Sequence, residues 1–463
     1  MPAKQPTDNP ANPSRKPTRT ISGVSPIAIV VAPRKCPHGT CVYCPSWNVP
    51  QSYVPKSPAI MRAARLDYDP YAQTKARLEM FKTMGHPIDK IELIIMGGTF
   101  LAYPEEYQYN FVKRCYDALN GKDAKDLEEA KRFNETAKHR CVALCFETRP
   151  DVCGPEEIRR MLEFGATRCE IGVQIADDDT YERVKRGHTV RDVKQATYLL
   201  KEAGFKVGYH LMPGLPGVDR RKDVARFRMM FTSKDFMPDQ IKIYPTIVIK
   251  GSELERWHAE GRYRPYSDEE LVDLLVGLKS IVPRWCRIMH IMRIIPPEYM
   301  AAGSIRSDLR KVAQEEMKAR GVKCQCIRCR EVGFAERQKK DTTGEQRLDV
   351  VGYEASGGKE FFLSFVNTDD IIFGLCRLRI NEDGKNAMVR ELHVFGPQMK
   401  LGEKASKRTQ HSGLGAALMR EAERIAHENG CERIHVISGV GVREYYRNLG
   451  YELEGAYMTK RLE

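Results

Sequence analysis

The sequence predicts an α/β chain in two parts, a full or partial parallel βα barrel followed by a smaller α+β domain. Between residues 27 and 246, six short runs rich in Val and Ile alternate with longer helical patterns, which is typical of parallel strands joined by right-handed crossovers. Polar or Gly-rich residues cluster after these runs, and in a βα barrel such loops face one common site. Beyond about residue 336, consecutive strands with hairpin signals replace this alternation.

The predicted barrel strands follow in order: IAIVVA, IELIIMG, CVALCFE, RCEIGVQ, KVGYHLM and QIKIYPT. Two helical stretches come next, SDEELVDLLVGLKSIV and IRSDLRKVAQEEMKARG. The last part has strands in QRLDVVGYEASGGKEFFLSFV, DIIFGLCRLRI and AMVRELHVFG, then the amphipathic helix SGLGAALMREAERIAHENG, the strand RIHVIS and a short helix around VREYYRNLG. We therefore divide the chain into a basic flexible arm (1–25), a partial (β/α)6 barrel (26–308), a cysteine-rich linker (309–335) and an α+β domain (336–463).

Composition narrows the class of protein. With 42% hydrophobic residues and a mean hydropathy of −0.49, the chain of 463 residues can bury real cores and is not broadly disordered. No run approaches the roughly 18 uncharged apolar residues of a spanning helix, and the first residues lack the apolar core of a signal peptide. We therefore expect a cytoplasmic protein without a membrane partner. The net charge of +13 favours a polyanion, with nucleic acid as the leading candidate.

Basic residues are concentrated in two places. The arm is rich in Pro, Asn, Thr, Lys and Arg and has no apolar period, so it cannot fold alone. Its cations either contact phosphate or belong to a solvated tail: Lys4, Arg15, Lys16 and Arg19. Those around the linker predict either a phosphate-binding stripe or a solvated face: Arg310, Lys311, Lys318, Arg320, Lys323, Arg328 and Arg330.

Six of the 14 cysteines fall in two tight clusters, and we expect the other eight to be small buried hydrophobes. Without a secretion signal, thiols are available for metals rather than for disulfides. Cys36, Cys41 and Cys44 form C-x4-C-x2-C directly after the first strand. Three thiolates can hold a [4Fe-4S] cluster and leave one iron open to another ligand. A zinc knuckle completed by His38 is the alternative.

The second cluster has the spacing C-x-C-x2-C at the junction of the two parts. Cys324, Cys326 and Cys329 suit a structural zinc site whose fourth ligand is not readable from the sequence. A loop without metal and a second iron-sulfur cluster are the alternatives.

A glycine-rich helix start lies in the α+β domain. Glycines there let backbone N–H groups approach an anion, and the helix dipole favours its negative charge. A helix entry without a ligand is the alternative to this pyrophosphate cradle. The predicted cradle comprises Gln410, Gly413, Leu414, Gly415 and Ala416.

Two adjacent tyrosines, Tyr445 and Tyr446, follow the segment GVGVRE. A phenol near a thioester can hydrogen-bond its sulfur or protonate the leaving thiolate. We expect one of the two rings to belong to the core instead.

The loop after the first strand resembles that of the radical S-adenosylmethionine enzymes, with four residues between the first two cysteines where most members have three. In that family a GGE-like motif after the second strand holds the methionyl amino group. Gly97, Gly98 and Thr99 stand at the matching positions here, and backbone carbonyls can also accept from an ammonium group.

The helix start resembles motif A, Q/R-x-x-G-x-G/A, of the GNAT acetyltransferases. In that family the preceding strand pairs its backbone with the pantetheine arm of acetyl-CoA. The matching residues here are Glu391, Leu392, His393 and Val394.

Ten segments in order are similar to the catalytic-subunit family of Elongator, the tRNA wobble-uridine acetyltransferases: CPHGTCVYC, DPYAQTKAR, DKIELIIMGGTF, ETRPD, TRCEIGVQ, RGHTV, IKIYPT, VRELHVFG, QHSGLG and GVGVREYYRNLGYE. The resemblance covers nearly the whole chain from about Cys36. It implies that Lys90 and Tyr446 contact acetyl-CoA. Without the resemblance, Lys90 would be interpreted as a solvated surface charge. The resemblance also implies an anticodon loop of tRNA as substrate, and either a homodimer or Elongator-type partner subunits.

The same resemblance implies a reaction. Reductive cleavage of S-adenosylmethionine on a [4Fe-4S] cluster gives a 5'-deoxyadenosyl radical, which takes hydrogen from the methyl group of acetyl-CoA. The carbon radical adds to C5 of wobble uridine 34, and hydrolysis of the thioester leaves a carboxymethyl group. Two other functions stay open at this point: a protein lysine acetyltransferase with the barrel as scaffold, and a non-catalytic tRNA-binding acetyl-CoA sensor.

Overall fold

The first nine strands of the computed structural model, which describes residues 20–395 and 413–463, build a partial barrel. They are β1 (Ser25–Val30), β2 (Lys90–Met96), β3 (Arg140–Thr148), β4 (Arg168–Gln174), β5 (Lys206–Leu211), β6 (Gln240–Ile243), β7 (Val248–Ile249), β8 (Arg287–Ile291) and β9 (Met300–Ala302). Seven of them form one parallel sheet in the order β1-β2-β3-β4-β5-β6-β8, while β7 and β9 form a separate antiparallel pair. The six predicted strands are confirmed, and β8 is a seventh that the sequence analysis missed.

Helices join the barrel strands. They are α1 (Pro58–Ala64), α2 (Pro70–Thr83), α3 (Glu105–Asn120), α4 (Leu127–Thr136), α5 (Pro155–Glu163), α6 (Asp178–Arg183), α7 (Val190–Glu202), α8 (Arg220–Thr232), α9 (Glu253–Ala259) and α10 (Asp268–Ile281). Side chains alternate across a strand, so Cys169, Ile171 and Val173 of β4 are fully buried in the main hydrophobic core. Glu170 and Gln174 of the same strand line a cavity inside the barrel.

The carboxy-terminal domain is a second sheet covered by one long helix. The short helices α11 (Leu309–Ala319), α12 (Ile327–Arg330) and α13 (Val332–Arg337) lead into it. Its other elements are β10 (Arg347–Ala355), β11 (Gly358–Val366), β12 (Ile372–Ile380), β13 (Asn386–Val394), α14 (Leu414–Glu428), β14 (Arg433–Val436), α15 (Arg443–Arg447), β15 (Glu452–Glu454) and β16 (Tyr457–Arg461). The sheet order is β10-β11-β12-β13-β14-β16-β15.

Among the described residues, β13 and β14 are the one parallel pair of this second sheet. Their pairing ends before the end of β13. Their ladder covers only Asn386 to Val389. The pairing of β13 with β12 shifts register at Arg390, which has no partner in the ladder. From this bulge onward β13 runs without β14 beside it, and a bulge bends a strand in this way.

The carboxy-terminal domain packs against the amino-terminal ends of the barrel strands. Arg390 donates to the carbonyl of Phe205, which precedes β5, at 2.7 Å. Trp285, just before β8, stacks on Tyr353 with ring centroids 4.3 Å apart. A Cβ atom on Gly439 would lie 2.1 Å from the carbonyl oxygen of Val142 in β3, so only glycine permits this approach. The loops at the carboxyl ends of the strands are therefore left at the opposite side of the barrel.

In the part of the chain described, no helix has the length and apolar character needed to cross a bilayer.

Candidate active site

The loop after β1 turns its three cysteines into the barrel. Gly39 has a φ of +98°, where glycine is favoured, and its N–H donates to the carbonyl of Cys36 at 3.1 Å. The N–H of Cys44 donates to the carbonyl of Cys41 at 2.9 Å. Cys41 and Cys44 are buried while Cys36 is half-buried, and all three line the barrel cavity.

Each of the inner thiols has a polar neighbour. Arg186 donates to the Cys41 sulfur at 3.6 Å, and the Gln51 amide donates to the Cys44 sulfur at 3.1 Å. Burial raises the pKa of the Cys44 thiol to about 12 and also raises the pKa of Cys36. These thiols therefore carry protons unless a cation compensates their charge.

His38 lies beside Cys41, with Nε2 3.3 Å from the sulfur. Burial, followed by the charges of Arg149 and Arg186, lowers the pKa of His38 to about 4. The imidazole is therefore neutral at neutral pH, and its Nε2 lies 3.1 Å from Nη1 of Arg149. Because a guanidinium is a donor only, Nε2 accepts from Arg149.

The turn after β2 requires its glycines. Gly97 has a φ of +142°, and a Cβ atom there would lie 2.1 Å from Cγ2 of Val31. Gly98 has a φ of +84°. The hydroxyl of Thr99 lies 4.0 Å from the sulfur of Cys36. The predicted Gly97–Gly98–Thr99 turn and the cysteine loop are thus brought together.

These loops enclose a cavity of about 630 Å³. The residues that follow or end the strands of the barrel sheet all line it: Cys36, Gly98, Thr148, Gln174, Met212, Tyr244 and Met292. Gln174 has a φ of +66°, an unusual backbone for a residue other than glycine and one that is concentrated at functional sites.

The floor of the cavity carries a charged cluster, Glu147, Glu170, His210 and Lys242. Ligand atoms of Glu147, Glu170 and His210 lie within 4.8 Å of one another. Lys242 donates to Glu170 and to Glu147 at 3.1 Å, so an ammonium group already balances these carboxylates. Although burial opposes it, the charge of Lys242, followed by that of Arg168, holds the pKa of Glu170 well below its usual range. The cluster is therefore an ion-pair network rather than a metal site.

Sequence reasoning left two lining residues out of the predicted site, Arg149 and Arg186. Both are buried cations that meet the cysteine loop through His38 and Cys41. Both residues lie in segments that carry the family resemblance, Arg149 in ETRPD and Arg186 in RGHTV. Nothing local in either segment indicates contact with a loop more than 100 residues away.

The second candidate site lies where β13 ends beside the start of α14. Gly413 has a φ of +96° and precedes the first turn of α14. A Cβ atom on Gly415 would lie 2.6 Å from the hydroxyl of Tyr445 and 3.7 Å from Cγ2 of Val394. The structure therefore brings three predicted residues together, Val394, Gly415 and Tyr445. Gln410 lies outside the described residues.

The two tyrosines have different surroundings. Tyr445 is 39% exposed, whereas Tyr446 is 6% exposed and belongs to the hydrophobic core of the domain. Burial raises the pKa of both phenols, so both keep their protons at neutral pH. Tyr445 is the ring that faces the helix start.

Other predicted residues lie at the interface between barrel and carboxy-terminal domain. The Glu391 carboxylate pairs with Lys206 at 2.5 Å and with Arg377 at 2.7 Å. Nε2 of His393 lies 2.9 Å from the carbonyl of Ser22. Leu392 packs at the edge of the domain core. Lys90 begins β2, at the other end of that strand from Gly97, and burial lowers the pKa of its ammonium group.

The sulfur atoms of Cys324, Cys326 and Cys329 lie within 4.8 Å of one another. The loop is held against the barrel because the Ile327 N–H donates to the carbonyl of Cys286, just before β8, at 3.0 Å. The described residues supply no fourth Cys, His, Asp or Glu to this group. The eight cysteines outside the two clusters are all buried, as the sequence predicted.

Three of the seven basic side chains around the linker make contacts within the protein. Arg310 donates to the carbonyl of Ile288, and Arg330, which is buried, pairs with Asp370 at 2.5 Å. Arg320 pairs with Asp273 at 2.6 Å. The linker folds into short helices, and a phosphate-binding stripe on it stays a prediction.

The donor set fits an iron-sulfur cluster. The sulfurs of Cys36, Cys41 and Cys44 do not all lie within 4.8 Å of one another, unlike those of the second cluster. A single zinc ion with bonds of about 2.3 Å brings its sulfurs to within about 4 Å. A cluster spreads them further, since each thiolate binds a different iron atom. The adjoining cavity leaves room for a ligand on a fourth iron.

Comparison with known proteins assigns the two parts of the chain to two families. Residues 30–228 match the Radical SAM superfamily, residues 238–319 the Radical SAM C-terminal domain and residues 330–451 the acetyltransferase (GNAT) family. The chain is 50% identical to the "tRNA uridine(34) acetyltransferase" of Dehalococcoides mccartyi (strain CBDB1), covering 97% of this chain and 100% of that protein. It is 42% identical to human "Elongator complex protein 3", covering 97% of this chain and 86% of that protein.

A solved structure is also similar. It is the archaeal Methanocaldococcus infernus Elp3 with an N-terminal deletion, with a TM-score of 0.84, 46% identity, and coverage of 96% of this chain and 100% of that one. Fold and sites thus define a radical SAM enzyme fused to a GNAT acyltransferase. Within that class, the chain belongs to the family of the tRNA uridine(34) acetyltransferases and Elongator complex protein 3, which confirms the resemblance seen in the sequence.

Proposed function

We propose that this enzyme uses S-adenosylmethionine and acetyl-CoA to install a carboxymethyl group at C5 of uridine 34 in tRNA. The observation that carries the proposal is the cavity of about 630 Å³ into which three cysteines of one loop open, in the same chain as an acyltransferase fold. The names of the relatives indicate uridine 34 of tRNA as the substrate. The charge of +13 supports a polyanionic partner.

In the barrel, Cys36, Cys41 and Cys44 would hold a [4Fe-4S] cluster, which when bound supplies the electron that cleaves the sulfonium of S-adenosylmethionine. Gly97 permits the turn to pack against Val31, and Gly98, which lines the cavity, lets the backbone approach the bound cosubstrate. Arg149 and Arg186 place positive charge beside the thiolates, which favours their deprotonated form. The walls of the cavity exclude bulk water from the reacting groups.

In the carboxy-terminal domain, the acyl carrier would lie in the gap between β13 and β14. The backbone of β13 beyond Val389 is no longer paired with β14 and is available to an amide-containing arm. Gly413 and Gly415 open the start of α14 to the pyrophosphate. We assign to Tyr445 the role of hydrogen-bond donor to the thioester, since its hydroxyl lies at the helix start and its raised pKa keeps the proton in place. The resemblance implied that Tyr446 contacts acetyl-CoA, but its ring is buried in the core of the domain, so we propose that it supports Tyr445 from there.

The second cysteine cluster is proposed as a structural zinc site. Three sulfurs within 4.8 Å suit one tetrahedral ion, and the site lies where β8 meets the carboxy-terminal domain. Metal analysis of the full chain and of Cys326→Ser tests this assignment. We expect one equivalent of zinc in the first and none in the second, and equal zinc in both would contradict it.

The function is tested by anoxic reconstitution of the iron-sulfur site, followed by analysis of nucleosides from tRNA incubated with both cosubstrates. We expect carboxymethylated uridine 34 from the parent enzyme and none from the triple variant of Cys36, Cys41 and Cys44 to Ala. Unmodified uridine from an enzyme with a full complement of iron and sulfide would refute the proposal. Acetylation of lysine peptides by the triple variant would favour a protein acetyltransferase instead.

A further inference from the structure

The rim of the cavity is formed by two segments, residues 34–66 and 292–308, and we use the word rim for these. The first contains the cysteine loop and α1, and the second follows β8. Pro45, Ser52, Ile294 and Ser307 are rim residues that line the cavity. Both segments therefore contribute side chains to the wall of the cavity.

The rim carries more positive than negative side chains. Residues 34–66 contain five Lys or Arg and no Asp or Glu, and residues 292–308 contain two of each sign. The rim therefore holds seven positive and two negative side chains, a net +5 of the +13 of the whole chain. These 33 and 17 residues make 50 of 463, so about a tenth of the chain carries over a third of its net charge. This field favours a polyanion at the entrance.

Exposed apolar side chains are concentrated on the same segments. Of the eight large apolar residues that project from the described surface, four lie on the rim: Trp47, Met61, Ile294 and Ile305. Ile294 is 73% exposed and Ile305 is 70% exposed, the highest values of the eight. A purely electrostatic surface needs no such side chains, so the rim offers contacts to a partner that is both charged and apolar.

Trp47 is held in place from one side. Its ring meets Tyr299 edge to face, with centroids 5.5 Å apart. Gly251, with a φ of +79°, lies under it, and a Cβ atom there would be 3.5 Å from the indole. The indole nevertheless keeps 39% of its surface open. A fixed, exposed indole on a segment that contains five Lys or Arg and no acidic residue is a surface on which an unpaired base can stack.

We propose that the rim binds the unpaired loop of an RNA hairpin, with Trp47 stacking on a nucleotide next to the one that enters the cavity and Ile294 packing against the loop from the other segment. Phosphates of the loop account for the positive charge and the bases account for the apolar side chains. The proposal rests on the proposed function and adds the surface and the residues that hold the substrate.

The test measures binding of a fluorescent RNA hairpin with a seven-nucleotide loop to the full-length protein by anisotropy. Removal of a stacking ring costs roughly 5- to 100-fold in affinity, and we expect this loss for Trp47→Ala. Trp47→Phe keeps a ring and is expected to stay within about threefold of the parent. Leu453→Ala removes an equally exposed side chain of β15 and serves as the matched control, with unchanged binding.

Salt dependence separates stacking from charge. The slope of log affinity against log salt is expected to stay constant in Trp47→Ala and to become shallower by about 0.7 in Lys35→Ala. Ile294→Ser, at the most exposed site, is expected to weaken binding without lowering thermal stability. The Ile294→Ser variant therefore still tests the proposal if Trp47→Ala proves less stable than the parent.

The outcomes distinguish the inference from the function on which it rests. If the parent modifies tRNA while Trp47→Ala and Ile294→Ser bind the hairpin as tightly as the parent, the inference is wrong and the function stands. If a fully paired RNA duplex, or an acidic peptide of equal charge, binds the rim as well as the hairpin does, the proposed occupant is wrong. If the parent binds no RNA, both fail.

Discussion

Arg390 is predicted to hold the two parts of the enzyme together. Its guanidinium leaves the bulge of β13 and bonds to Asp239 of the barrel at 2.7 and 2.8 Å. It also bonds to Glu360 of β11 at 2.8 Å. All three side chains are buried. Although burial alone would raise it, Arg390 and then Lys201 hold the pKa of Asp239 well below its usual range.

Replacement by methionine, Arg390→Met, keeps most of the volume but leaves two buried carboxylates without their main partner. Lys201 remains 3.7 Å from Asp239 and 3.3 Å from Glu360. Arg377 remains 3.4 Å from Asp239 and Arg379 remains 3.1 Å from Glu360, so each carboxylate keeps part of its pairing. Breaking a buried ion pair by removing one member costs about 3–5 kcal/mol. Because these cations remain, we expect a loss in the free energy of unfolding near the lower end of this range, about 3 kcal/mol, with the domain interface opening first.

The assay is urea unfolding followed by the emission of Trp285, which stacks on Tyr353 across this interface. Trp47 and Trp257 are replaced by Phe so that Trp285 is the one emitter among the three tryptophans. The control is Arg424→Met, because Arg424 also pairs with two glutamates but is 54% exposed, where ion pairs contribute under about 1 kcal/mol. Equal shifts of the unfolding midpoint in the two variants would refute the reasoning.

Three further predictions concern single residues. Tyr445→Phe should slow tRNA-dependent acetyl-CoA turnover at least about tenfold, while Tyr446→Phe should leave it nearly unchanged, as steady-state kinetics will measure. Gly97→Ala should abolish S-adenosylmethionine binding in equilibrium dialysis, because its Cβ would lie 2.1 Å from a methyl group of Val31. Burial raises the pKa of Asp223 to about 6, so the folded state holds its proton more tightly and stability falls as pH rises from about 4 to 6. Asp223→Asn should remove that fall, measured as urea midpoints at pH 4.5 and 7.5.

The barrel strands were predictable because their outer faces are almost entirely apolar. Ile91, Leu93 and Ile95 of β2 are all fully buried. Apolar runs of this kind can be recognised as buried strands from the sequence. Strand β8 escaped notice because its five residues, RIMHI, include Arg287 and His290. These two polar side chains interrupt an apolar run of only five residues. The final pair β15 and β16 was missed for the same reason, since β15 is ELE.

The candidate site was predictable only as far as local motifs extend. The cysteine loop and the Gly97–Gly98 turn each have a recognisable spacing, and both lie where expected. Arg186 donates to the Cys41 sulfur across 145 positions of sequence, and no local pattern encodes that contact. The choice between adjacent tyrosines also depends on which ring packs against Leu418 and its neighbours in the core, which only the fold decides.

The two sites lie at opposite ends of the barrel strands. The cavity is at their carboxyl ends, while the acyl site belongs to a domain that packs on their amino ends. A seven-residue strand such as β2 is about 20 Å long, and the barrel interior between the two ends holds ion pairs such as Arg168 with Glu170 at 3.4 Å. Moving a neutral acyl group through that layer would expose paired charges to an apolar neighbour, which is costly. Under the proposed function, the acyl group has to bypass the Arg168–Glu170 layer, and substitutions there should alter coupling between the two cosubstrates before they alter the binding of either.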